Sequence, residues 1–158
     1  MGPSGSGKSL VGAALAARLR RRFVDGDDLH PPANIAKMRS GTPLDDADRA
    51  PWLDAVAATL AGSEAPVVAC SALRRVYRDR IRGLVPDAVF VELVVAPAQL
   101  RRRMSRREHF MPPELLDSQL HTLEPLAQDE AGVRVANDAG LESVVARIVD
   151  VLEGQPLR

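Results

Sequence analysis

The sequence predicts an α/β three-layer sandwich built on a mainly parallel sheet. Three observations predict it. Short apolar, strand-like runs alternate with helical patterns along the whole chain, and strands separated by helices pair in parallel through right-handed crossovers. The 158 residues are 46% hydrophobic and 27% charged, the balance of one soluble domain with one core. A glycine-rich turn stands immediately before the first helical pattern, at residues 2–9.

The elements follow in order. Ser9 to Arg21 is helix-forming, with Leu10, Ala13, Ala14 and Ala17 lying on one face. Phe23–Val24 is a short strand ending in acid. Asn34 to Ser40 and Asp46 to Ala61 are helical, broken by Gly41-Thr42-Pro43. Pro66 to Cys70 is a strand and Arg74 to Gly83 a helix. Val89 to Val95 is a buried strand interrupted by Glu92. Pro97 to Arg107 and Pro112 to Thr122 are helices with proline in the first turn. Val133 to Ala136 is a last strand, and Leu141 to Leu152 a closing amphipathic helix. No linker or repeat divides the chain, so residues 1–158 are expected to form a single domain.

Composition excludes several classes. The 21 basic and 21 acidic residues cancel, so no global field recruits nucleic acid or a membrane surface. The longest apolar stretches, such as Ala88–Ala96, are far below the ~20 residues of a membrane-spanning helix. Cys70 has no partner for an intrachain disulfide, and no leader is expected ahead of a motif that starts at residue 2; both suit a reducing, cytoplasmic setting. Arg18 with Arg20, Arg21 and Arg22 reads as the solvated end of a helix, whereas Arg101, Arg102, Arg103, Arg106 and Arg107 are either that or an anion clamp.

Gly2-Pro3-Ser4-Gly5-Ser6-Gly7-Lys8-Ser9 fits G-x-x-x-x-G-K-[ST]. Its glycines allow a tight bend that aims successive N–H groups at one phosphate chain, and the helix that follows adds its positive end. Gly2, Ser4, Gly5, Ser6 and Gly7 would form the cradle, Lys8 would bridge the β- and γ-phosphates of ATP, and Ser9 would ligate Mg²⁺. The competing reading is a glycine-rich turn that merely caps a helix. Such a loop ordinarily follows a buried strand, and none stands ahead of Met1. The first strand is therefore expected to be supplied by an upstream run of roughly five apolar residues rather than lost.

Asp25-Gly26-Asp27 at a strand end sets two carboxylates on one side of the chain. One can hold a Mg²⁺-bound water while the other takes a proton from a substrate hydroxyl. An Asp-rich turn with a helix cap is the plainer alternative. Trp52 is expected to be a core anchor and Cys70 a packing residue, and Asn137-Asp138 either an adenine loop or a simple turn.

Asp25-Gly26-Asp27 with Leu29-His30-Pro31, Asn34-Ile35, Lys37-Met38, Gly41-Thr42-Pro43-Leu44, Asp48-Arg49 and Pro51-Trp52-Leu53 resembles the gluconate kinase family, within the P-loop nucleoside-monophosphate-kinase-like group. So do Cys70-Ser71-Ala72-Leu73-Arg74-Arg75, Tyr77-Arg78-Asp79, His109-Phe110-Met111 and the run Leu116 to Glu124. The resemblance covers residues 2 to about 130. It implies ATP- and Mg²⁺-dependent phosphorylation of D-gluconate at the 6-hydroxyl, an acceptor segment at about residues 29–62, a lid at about 105–125, and a homodimer. On that footing Asp27 is the expected base and Asp25 the holder of a Mg²⁺-bound water. Arg49 and Arg75 are the leading partners for the sugar-acid carboxylate, with Arg74, His30 and His109 behind them. Arg102 and Arg106, one turn apart, are expected on ATP, with Arg106 also stabilising charge in transfer and Arg107 next. Arg103 and Glu108 depart from the family pattern. Two other readings stay open: an ATP-binding module without turnover, and a kinase for another small sugar acid.

Overall fold

A computed structural model describes residues 1–62, 65–105 and 114–154. The elements are α1 (Lys8–Leu19), β1 (Phe23–Asp25), a 3₁₀ turn (Gly26–Leu29), α2 (Pro32–Arg39), α3 (Asp46–Leu60), β2 (Val67–Ala69), α4 (Arg75–Leu84), β3 (Phe90–Val94), α5 (Pro97–Met104), α6 (Glu114–Thr122), β4 (Gly132–Ala136) and α7 (Leu141–Gly154). Among the described residues, no helix is long and apolar enough to cross a membrane.

The strands pair in parallel, as their separation by helices requires. β1 lies beside β2 with Phe23 opposite Val67 and Asp25 opposite Ala69. β3 lies beside β4 with Phe90 opposite Gly132 and Val94 opposite Ala136. Met1 and Gly2 bridge the two pairs. The Met1 nitrogen donates to the Val91 carbonyl, Leu93 N–H donates to the Met1 carbonyl at 2.9 Å, and Gly2 N–H donates to the Ser71 carbonyl at 3.3 Å. Beyond Met1, a largely apolar cavity of about 310 Å³ continues between the pairs, lined by Val11, Leu15, Val68, Phe90 and Ile148 among others.

Apolar side chains cover both faces. On one, Trp52, Leu53, Val56 and Ala57 of α3 pack with Tyr77 and Ile81 of α4 over Cys70 and Phe90. On the other, Val11 and Leu15 of α1 pack with Val144, Val145, Ile148 and Val149 of α7 over Leu93 and Val135. Asp45 and Asp48 form a reciprocal capping box that starts α3, a signal present in the sequence spacing but not used there. The apolar face through Leu10, Ala13, Ala14 and Ala17 is not the one α1 buries: Leu10 is 56% exposed, and Val11, Gly12, Leu15 and Ala16 are buried. Gly12 sits so close to the Phe23 ring that an added Cβ would lie 2.8 Å from it, so the helix turns its flattest strip, not Leu10, to β1.

Buried charge rigidifies the loop between β2 and α4. The Arg78 guanidinium is fully buried, grips both Glu130 carboxylate oxygens at 2.6 and 2.7 Å, and donates to the carbonyls of Ala72 and Glu124 at 3.2 and 3.1 Å. This pairing holds the Glu130 carboxyl down to about 2. Removing either partner strands a buried charge, at a cost of about 3–5 kcal/mol. Glu92 is likewise satisfied inside β3 by Arg134 at 3.1 Å and Leu126 N–H at 2.7 Å, which explains an acid in a buried strand.

Candidate active site

The phosphate loop is held from behind by its carbonyls. Gly5 and Gly7 take φ of 78° and 89°, which side-chain-bearing residues rarely adopt. Asn137, just past β4, donates from Nδ2 to the Ser6 carbonyl at 2.7 Å. Arg103 of α5 donates to the Gly5 carbonyl at 3.3 Å and to the Asn137 carbonyl at 3.1 Å. With those carbonyls drawn backward, the loop leads into α1, whose first turn has no capping side chain and no acid. A phosphate fits such a donor set, because the unpaired helix-start N–H groups and the positive helix end both favour an anion. The Ser6 hydroxyl, fully buried, has no hydrogen-bond partner among the described residues. Lys8 folds back towards the Pro3 carbonyl at 3.4 Å, a long contact that leaves its ammonium available to a ligand.

Beside the loop lies a cavity whose lining includes Ser4, Lys8, Asp27, His30, Arg49 and Gln119. The Lys8 ammonium and the Asp27 carboxyl thus face one space, although strand β1 and helix α1 run between them in sequence. Asp27 is set by the 3₁₀ turn: Asp25 Oδ1 accepts the Asp27 N–H at 3.1 Å and caps that turn. Gly26 is needed because a Cβ there would lie 2.6 Å from the Ala69 carbonyl, so the close approach it permits is to β2. Trp52 is 1% exposed and donates from Nε1 to the Gly26 carbonyl at 2.7 Å, so the expected core anchor also pins the turn bearing Asp27.

His30 stacks on Trp52, ring centroids 4.5 Å apart and planes 9° off parallel. Burial first, and the Arg49 charge second, lower its pKa to about 4, so the imidazole is neutral near pH 7. Arg49 has no salt bridge to a carboxylate among the described residues; its guanidinium lies over the Tyr77 ring, 5.5 Å from the centroid. The cavity shares Leu44, Arg49, Tyr77 and Ser118 with a wider outer pocket of about 730 Å³ that reaches Asp46, Arg74 and Glu124.

Comparison with known proteins supplies the family. A model of the AAA domain matches residues 1–126. The chain is 44% identical to a gluconokinase of Gluconobacter oxydans over 154 residues, covering 94% of this chain and 86% of that protein. It is 41% identical to the thermoresistant gluconokinase of Escherichia coli, covering 97% and 91%. The crystal structure of a gluconokinase from Sinorhizobium meliloti superposes with a TM-score of 0.86 at 44% identity, covering 99% and 94%. A Mycobacterium tuberculosis APS kinase, 23% identical with a TM-score of 0.64 over 97% of this chain and 94% of that one, shares the fold. The chain belongs to the gluconokinase family. Its architecture is accordingly the α/β P-loop kinase fold with parallel strands.

Within this gluconokinase-family fold, the structure gathers Ser4, Lys8, Asp27, His30 and Arg49 around one cavity. It sets Arg75 elsewhere. That guanidinium is 46% exposed and binds Asp129 through two contacts, 3.0 and 2.8 Å, so one of the two leading carboxylate partners of the sequence reading is engaged outside the cavity. Arg74 lines only the outer pocket, bonded to Asp46 at 2.9 Å. Arg102 is exposed on α5, and it is Arg103, the residue that departs from the family pattern, that reaches the phosphate loop. Ser9 is exposed in the first turn of α1, and Asp25 has one oxygen on the Asp27 N–H. Arg106, Arg107 and His109 lie outside the described residues, as do residues 106–113 of the lid expected at about 105–125. Sequence reasoning missed Arg103 and the bond from Asn137, because nothing local marks a contact to a loop some hundred residues away. Gln119 falls within the Leu116 to Glu124 run that carries the resemblance, with no role assigned to it there.

Proposed function

We propose that this chain transfers the γ-phosphoryl group of ATP to the 6-hydroxyl of D-gluconate, giving 6-phosphogluconate and ADP. The observation that carries this reading is the shared cavity of Lys8 and Asp27. The family's gluconokinases supply the acceptor. Asp27 takes the proton from the acceptor hydroxyl as its oxygen bonds to phosphorus; the bond from phosphorus to the β-bridging oxygen breaks towards ADP. Lys8 and the amides of residues 5–9 hold the phosphates in line, so alignment and charge neutralisation provide most of the rate. Arg49, which pairs with no carboxylate among the described residues, is the carboxylate receptor, and neutral His30 lines the same space without adding charge. Mg²⁺, when bound, would neutralise charge on the β- and γ-phosphates; Ser9 would ligate it and Asp25 would hold one of its waters. Arg102, Arg106 and Arg107 belong to ATP and His109 to the acceptor in this reading.

The same proposal treats residues 1–158 as one domain, with 29–62 as acceptor segment and 105–125 as lid, in a cytoplasmic homodimer. A first strand would run between β2 and β3, supported by the hydrogen bonds of Met1 and Gly2 and by the cavity beyond them. The deciding experiment is coupled detection of ADP release. Gluconate-dependent turnover is expected; turnover only with a different sugar acid, or ATP binding with no turnover, overturns the reading.

A further inference from the structure

Gln119, on the last turns of α6, touches two functional parts at once. Its Oε1 accepts the Ser4 N–H of the phosphate loop at 2.6 Å, and its side chain lines the cavity that holds Asp27, Lys8 and Arg49. A backbone N–H can be met only by the amide oxygen, so the orientation of this side chain follows from the contact itself. Its Nε2 consequently faces away from Ser4 as a two-hydrogen donor, and it makes no hydrogen bond among the described residues. The helix is braced on two sides. Leu115 packs with Met38 and Leu44 of the acceptor segment, and Leu116 packs with Leu100 and Met104 of α5. Gln119 is thereby held at the seam between the acceptor side and the phosphate side.

We infer that Gln119 is an acceptor-binding residue: its Nε2 donates to a hydroxyl or carboxylate oxygen of the polyhydroxy acid, while its Oε1 keeps that donor in register with the phosphate loop through Ser4. The bond order of the amide supports the division of labour. Loading of Oε1 by Ser4 polarises the amide and strengthens Nε2 as a donor. The inference rests on the gluconate reading above and adds to it a residue on the lid side of the site.

The test is steady-state kinetics of wild type, Gln119→Glu and Gln119→Met, with KM measured separately for gluconate and ATP. Gln119→Glu keeps an oxygen for Ser4 and almost the same volume, yet replaces the donor by a negative acceptor. We expect its KM for gluconate to rise about tenfold or more, with KM for ATP and the thermal midpoint close to wild type. The gluconate defect should shrink as pH falls, since a protonated carboxyl regains one O–H donor. Gln119→Met loses both contacts and should raise both KM values. An unchanged gluconate KM in Gln119→Glu overturns the inference, as does an equal rise for both substrates, which would mark a purely structural contact. A wild type without gluconate-dependent ADP release would instead fail the parent reading, and this one with it.

Discussion

Asn137 Nδ2 lies 2.7 Å from the Ser6 carbonyl, joining the end of the last strand to a phosphate loop 131 positions away. The bond turns one loop carbonyl from the ligand side, and a Cβ on Gly7 would meet the same Nδ2 at 2.7 Å. Strand end, loop and α5 thus form one clamp, with Arg103 bridging the Gly5 and Asn137 carbonyls.

Replacing Asn137 by Leu leaves the Ser6 carbonyl unpaired in a buried place, a loss of about 1–3 kcal/mol. We expect KM for ATP to rise several-fold or more, with KM for gluconate changed much less. Initial-rate kinetics with each substrate varied in turn checks this, and a selective gluconate defect would contradict it.

Asp27→Asn retains volume and the bond of its backbone N–H to Asp25 but removes the proton acceptor. The expected loss in kcat is about 10²- to 10⁴-fold, the usual share of general base catalysis, with ATP affinity kept. Full activity in this variant would show that Asp27 is not the base.

Arg49 and Arg75 make a discriminating pair. Arg49→Lys keeps charge but loses the planar fork, so KM for gluconate should rise about tenfold. Arg75→Ala breaks an exposed, solvent-screened ion pair with Asp129 and should leave both KM values unchanged. A gluconate defect in Arg75→Ala would restore the sequence-based assignment.

His30 makes stability depend on pH. Its pKa is about 4 in the folded chain and 6.5 in the unfolded one, so between those values the unfolded state binds more protons. Stability should therefore fall as pH drops from about 6.5 towards 4. His30→Phe preserves a flat ring against Trp52 and removes the proton site, so the variant's urea midpoint should fall less than wild type's between pH 7 and pH 5. Equal falls in the two proteins would remove His30 from this effect.

Much of the site was legible because its signals are local. The glycines of 2–9 report backbone bends that only they take easily, the acid pair at 25 and 27 marks a strand end, and the alternation of apolar runs dictates parallel pairing. Which face of α1 is buried was not legible, because Ala and Leu fit either side of a helix and the tight Gly12–Phe23 approach arises only once β1 is in place.

What the sequence alone determined was the order of elements, the phosphate loop, the acid pair and the family to which they belong. The tertiary structure decided where the long side chains go: Arg49 lines the cavity while Arg75 pairs with Asp129, Arg103 reaches the Gly5 carbonyl, and Gln119 meets Ser4. The reason is physical. Backbone conformation is governed by residues a few positions apart, whereas a guanidinium or amide at the end of a flexible side chain goes to whichever oxygen or N–H the fold brings within about 3 Å.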